Sequence, residues 1–410
     1  MSHQRRRNPF LSKATKSVSL PSLQLRDKRT HVSYQSVDQL QRTLTTSVFH
    51  YAKDSKKAAG RALGTLVEII TYYLLRSWKL GSHVAIERGL AEYGNPAITH
   101  NVEYSLHPVG SRTRLEMPTA KLPLTSGKIL RAMEADDSKD WKDGKTQLLT
   151  ASGLVRNSCV VGRFGGGTLV ATEVEESGDQ YRIALSEQMA TPFAMFECKR
   201  VGIEEGMKKG PQTIEKAKQG AYVARAVSSL HKIRGHDGRL LGVLPRADGT
   251  LESKPHDEFL AEIVASDSPD WLRDFILSVG VVSNHGNWFT AENHNKEIMV
   301  LAQSYDWLLF LTDAGLAQFI EDVLLTPRAD LAPARTAFLA SYPKAKGENR
   351  FTKVRIDLHA HHALLAYFER EAAVIESWFN IINPSSGSIR QLRHQLETLA
   401  RKDWAKIHTL

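Results

Sequence analysis

The sequence predicts an α/β protein, with a central mixed sheet flanked by helices and a mainly helical C-terminal region. Three observations carry this. A strongly helical apolar pattern follows Ser55, a series of extended runs broken by turn residues spans 154–198, and helical periodicity runs almost throughout 331–410.

Residues 1–35 mix Arg, Lys, Ser and Pro21 without periodicity and read as a basic mobile arm. A first helix is expected over 37–50. A stronger one is capped by Ser55, carries Ala62, Leu63, Leu66, Val67, Ile70, Tyr73 and Leu74 at helical spacing, and is closed by Gly81. Short alternating stretches at 83–88 and 98–106, bounded by Gly94-Asn95-Pro96 and Pro108, predict strands. Residues 118–150 read as irregular. A meander of extended runs follows at 154–161, 168–174, 181–185 and 193–198, separated by Gly-rich or Ser-Gly-Asp turns. Gly210-Pro211 opens a long helix to about Ile233. Beyond it, 240–244 and 275–282 read as strands and 305–325 as mainly helical. The helical pattern of 331–410 breaks at Tyr342-Pro343 and Asn383-Pro384.

The chain has 410 residues, 42% of them hydrophobic and 24% charged, which excludes collagenous, wholly disordered and disulfide-scaffold classes. Its 54 basic and 45 acidic side chains give +9, but eight of the bases and one acid lie in the first 30 residues. The body is nearly neutral, so overall charge is a weak argument for a nucleic-acid partner. Two cysteines, Cys159 and Cys198, favour a reducing compartment. The apolar runs at 63–75 and 307–325 are interrupted by carboxylates and are not membrane spans. A cytoplasmic protein is expected.

The informative segment is Phe193-Ala194-Met195-Phe196-Glu197-Cys198-Lys199-Arg200. In a strand, one face carries Phe193, Met195, Glu197 and Lys199, and the other Ala194, Phe196 and Cys198. The strand begins apolar on both faces, as interior strands do, and ends with a carboxylate and an ammonium two residues apart. Setting both at the edge of a core costs several kcal/mol unless something pairs with them. A divalent cation and a phosphate would do so. Carboxylates hold Mg²⁺, and a neighbouring lysine can orient the attacking water of phosphodiester hydrolysis. Glu-x-Lys alone is a common tripeptide. Asp179, 18 residues upstream at the mouth of the strand over 181–185, is the candidate second acid. It is equally read as the Asp of a tight turn, with Glu175 and Glu187 as alternatives.

With these residues in view, the sequence resembles the PD-(D/E)xK nuclease superfamily, and within it the type II restriction endonucleases. The resemblance rests on Glu197-x-Lys199 ending a core strand, Asp179 upstream, the long helix after it, and an N-terminal helix with Gly60, Gly64 and Glu68. It covers roughly 55–245. Gly178 stands where the family has Pro before the Asp. The resemblance implies a restriction-endonuclease-like core over 36–330, with 331–410 serving dimer contacts or target recognition. It also implies Mg²⁺-dependent cleavage of double-stranded DNA by a homodimer, with Asp179 and Glu197 as metal ligands and Lys199 on the water. Glu68 is either a further acid facing the site or a solvated carboxylate at the edge of a helix stripe.

The helix after the motif carries Lys218, Tyr222, Arg225, Ser229 and Lys232 at offsets of 4, 7, 11 and 14 on one face. With Lys208, Lys209 and Lys216 these residues could line a DNA phosphate track, or form a solvated basic face. Gly165-Gly166 lacks a phosphate-loop ending and reads as a hairpin turn. Asp357, His359, His361 and His362 read as helix-capping or surface groups rather than a metal centre. Two other functions stay open: a repair or mobile-element nuclease that recognises DNA structure, and a non-catalytic DNA-binding protein in which Glu197 and Lys199 merely pair.

Overall fold

Helix α1 (Ser55–Ser77) follows from its apolar spacing, which buries Ala62, Leu66, Ile70 and Tyr73 along one side. Its cap is Asp54, one residue before the expected Ser55, accepting from the Lys57 N–H at 3.0 Å. The computed structural model describes residues 37–50, 54–133, 140–201, 220–284, 296–342 and 348–409. After α1 come strands β1 (Val84–Ile86), β2 (Tyr104–Leu106), β3 (Val109–Pro118), β4 (Gly167–Ser177), β5 (Gln180–Met189) and β6 (Ala194–Val201). Then follow β7 (Leu277–Asn284), β8 (Trp307–Leu311), helix α2 (Leu358–Arg370) and β9 (Phe379–Asn383).

Six of these strands make a mixed sheet in the order β1-β2-β6-β7-β8-β9. Strand β6 runs antiparallel to β2 and parallel to β7, with Phe196 opposite Tyr104 and Glu197 opposite Gly280. Alternation divides β6 between two cores. Ala194, Phe196 and Cys198 pack with α1, whereas Met195 packs with Ala221, Val223 and Ala224 of the helical stretch 220–226 and with Val227 just after it. The sheet thus has helices on both faces, a mixed α/β arrangement as expected. No helix among the described residues is long and apolar enough to cross a membrane.

The segment 305–325 departs from its helical expectation. All five residues of Trp307–Leu311 are buried between sheet neighbours, and the helix Asp313–Ile320 begins only after Thr312, whose hydroxyl accepts from the Gly315 N–H at 3.1 Å. An unbroken apolar run suits a two-sided interior strand as well as a buried helix, so periodicity could not separate them. The expected helix to Ile233 ends at 226, and His231–Arg234 is a strand. Residues 118–150, read as irregular, hold a helix at Ser126–Ala132 and short strands. The C-terminal region is mainly helical but also contributes β9 to the six-stranded sheet.

The expected meander is present but belongs elsewhere. β3, β5, β4, Cys159–Phe164 and Lys142–Asp143 form a separate antiparallel sheet of five strands. Pro192 lies between the last strand of that sheet and β6, where the chain changes sheets.

Candidate active site

Glu197 stands on the face of β6 shared with Met195, under the start of the helical stretch at Gly220. Space there is tight. A Cβ on Gly220 would lie 2.6 Å from the Tyr305 hydroxyl and 3.1 Å from Glu197 Cγ, and one on Gly280 would lie 2.8 Å from the Tyr305 ring. Two glycines thus admit a buried tyrosine against the carboxylate. The Glu197 side chain is 8% exposed, with Oε1 3.7 Å from Lys199 Nζ and Oε2 accepting the Glu103 N–H at 3.1 Å. Burial pushes its carboxyl above the ordinary value. Lys199 opposes that rise and Glu68 adds to it.

Glu103 sits immediately before β2, the strand beside β6, and its side chain is 11% exposed. Glu87 follows β1, its N–H donating to the Glu103 carbonyl at 3.2 Å. Glu68 projects from α1, whose position beside the sheet is fixed by two bonds. The Tyr104 hydroxyl donates to the Glu68 carbonyl at 2.7 Å, and the Cys198 thiol donates to Thr71 Oγ1 at 3.4 Å. Burial raises the Glu68 carboxyl as well, against the pull of Lys353.

Lys353 completes the group. Its ammonium lies 3.0 Å from Glu87 Oε1, 3.6 Å from Glu68 Oε2, and pairs with Glu103 Oε1. The bend that carries it is fixed by Asn157, whose side-chain amide donates to the Lys353 carbonyl at 2.9 Å and whose N–H donates to the Val354 carbonyl at 3.0 Å. Four carboxylates therefore gather with two ammoniums at one end of strands β1, β2 and β6. Their hard oxygen donors suit Mg²⁺ or a similar cation. Among the described residues no three acidic, imidazole or thiol groups converge closely enough to hold an ion as they stand. The Lys353 ammonium occupies the meeting point of Glu68, Glu87 and Glu103.

Of the expected site residues, the structure brings Glu197, Lys199 and Glu68 together and leaves Asp179 apart. Asp179 is an exposed residue of the Gly178-Asp179 turn between β4 and β5, and its carbonyl accepts the Thr119 N–H at 2.8 Å. The ten residues of β5, a span of about 30 Å, separate it from Met189, the end nearest β6. The alternatives Glu175 and Glu187 lie in the same five-stranded sheet. Arg225 is exposed on the helical stretch, whereas Lys208, Lys209, Lys216 and Lys218 lie outside the described residues.

Glu103, Glu87 and Lys353 were missed. Glu103 had a signal, being an acid inside the stretch 98–106 read as a strand. Lys353 had none. The other expected motifs resolve structurally. Gly165-Gly166 is a hairpin turn, Asp357 caps α2 by accepting from His359 and Ala360, and His361 Nδ1 is 2.9 Å from the Tyr73 hydroxyl. Comparison of the chain with family models, curated proteins and solved structures finds no match.

Proposed function

We propose that the chain is a Mg²⁺-dependent endonuclease that hydrolyses phosphodiesters in double-stranded DNA, of the restriction type that its sequence resembles. One observation carries this reading: the buried Glu197 carboxylate accepts the backbone N–H of Glu103, the acid just before the adjacent strand, and lies beside a lysine two residues further on. Glu103 takes the part expected of Asp179. Bound by Glu103 and Glu197, Mg²⁺ would supply a Lewis acid for the water and a counter-charge for the phosphate. Lys199, 34% exposed, has its ammonium 3.7 Å from Glu197 Oε1, suited to holding the water and a phosphoryl oxygen. Glu68 keeps the surroundings negative. Backbone contacts from Arg225 and the lysines before it would hold the duplex, and a homodimer would present one site to each strand.

Purified protein incubated with phage DNA and Mg²⁺ tests this. Discrete fragments, lost in Glu197→Ala and Lys199→Ala variants that stay folded, are the expected result. Cleavage confined to branched or damaged duplexes would transfer the site to a repair or mobile-element enzyme. The ion pairs of Lys353 favour a second reading, in which the acids are a structural network of a DNA-binding protein. DNA binding that survives both substitutions, with no cutting under any divalent metal, would establish it.

A further inference from the structure

We infer that Lys353 is a tethered counter-cation that competes with the divalent metal for Glu103 and Glu68, and that it withdraws toward Glu87 when the metal enters. The inference rests on the metal-binding part of the proposed function and adds a regulatory residue from the C-terminal region. Three observations support it. The Lys353 ammonium contacts carboxylates from three separate segments, so it already acts as the cluster's cation. Its backbone cannot drift, because Asn157 binds the Lys353 and Val354 carbonyls and the Thr352 N–H donates to the Arg355 carbonyl at 2.8 Å. Movement is therefore left to the four-carbon stem, which is flexible.

Glu87 gives that movement a destination. Its side chain is 55% exposed while that of Glu103 is 11% exposed, so Nζ can keep Glu87 and shift outward. The ammonium then remains paired and gains water, and the buried carboxylate it leaves is available to a doubly charged ion. A monovalent group held at a fixed base weakens metal binding without abolishing it. Half-occupancy by metal then needs a higher free divalent concentration than the four acids alone would require.

Two measurements on the full chain test this. Free Mn²⁺, counted by electron paramagnetic resonance, gives the binding isotherm. Lys353→Met should bind Mn²⁺ at least tenfold more tightly than wild type, and adding Glu103→Gln should erase the gain. In the unaltered protein, amine-specific acetylation read by peptide mass spectrometry should find Lys353 protected without Mn²⁺ and labelled at saturating Mn²⁺. Equal or weaker Mn²⁺ binding by a folded Lys353→Met variant overturns the inference, as does labelling that stays constant or falls. So does an absence of Mn²⁺ binding to either protein. The outcomes are separable from the nuclease reading. Tighter Mn²⁺ binding with DNA left intact keeps the competition and discards the nuclease, and DNA cleavage with unchanged affinity does the reverse.

Discussion

The backbone N–H of Glu103 donates to Oε2 of Glu197 at 3.1 Å, joining two acids that lie 94 residues apart in sequence. The bond orients the Glu197 carboxylate from the residue just before β2, one position beyond the last pair of the β2–β6 ladder, Phe196 and Tyr104. It also leaves Oε1 facing Lys199. An acid held in this way has one oxygen committed to structure and one available to chemistry.

Because burial raises the Glu197 carboxyl above its ordinary 4.5, the folded protein holds that proton more tightly than the unfolded chain. The stabilisation is fully present below pH 4.5 and is lost as pH rises through the raised value. Glu197→Gln, which mimics the protonated form, should match wild type in acid and become relatively more stable as pH increases. The difference should grow by about 1.4 kcal/mol for each pH unit between the two values. Urea titrations at several pH values measure it, and a pH-independent difference would contradict the burial argument.

Gly280 admits the ring of Tyr305 against Glu197, with 2.8 Å between a would-be Cβ and the ring. Gly280→Ala should cost roughly 1–3 kcal/mol, because the buried ring has no free space to enter. Tyr305→Leu in the same chain should recover part of that loss. A Gly280→Ala protein within about 0.5 kcal/mol of wild type in urea would show that the contact relaxes easily.

What the sequence made legible was local. Glu197 and Lys199 are two residues apart, so strand alternation alone brings them to one face. The long hairpin of β4 and β5 was legible in outline because its residues alternate and a Gly-Asp turn joins them. Its membership was not. Nothing near Pro192 says that the chain leaves one sheet and enters another, and on that step depended the expectation for Asp179. Strand β8 was hidden because five consecutive apolar residues have no period. Glu103 and Lys353 meet through long-range pairing, which no short window of sequence contains.

Asn157 is 5% exposed and holds the Lys353 carbonyl through its side chain. Asn157→Ala should lower stability by about 1–2 kcal/mol, since a buried carbonyl loses its donor. A thermal melt measures the loss. A fully stable variant would mean that the bend keeps its shape without this bond.

The central claim is that Glu103, and not Asp179, completes the acid pair with Glu197. Initial rates of plasmid cleavage with Mg²⁺, compared for wild type, Glu103→Gln and Asp179→Asn, test it most directly. The account predicts cutting by wild type and Asp179→Asn at similar rates, and a loss of at least a hundredfold in Glu103→Gln with its fold intact. Intact plasmid from wild type, or a Glu103→Gln protein that cuts while Asp179→Asn does not, would contradict it.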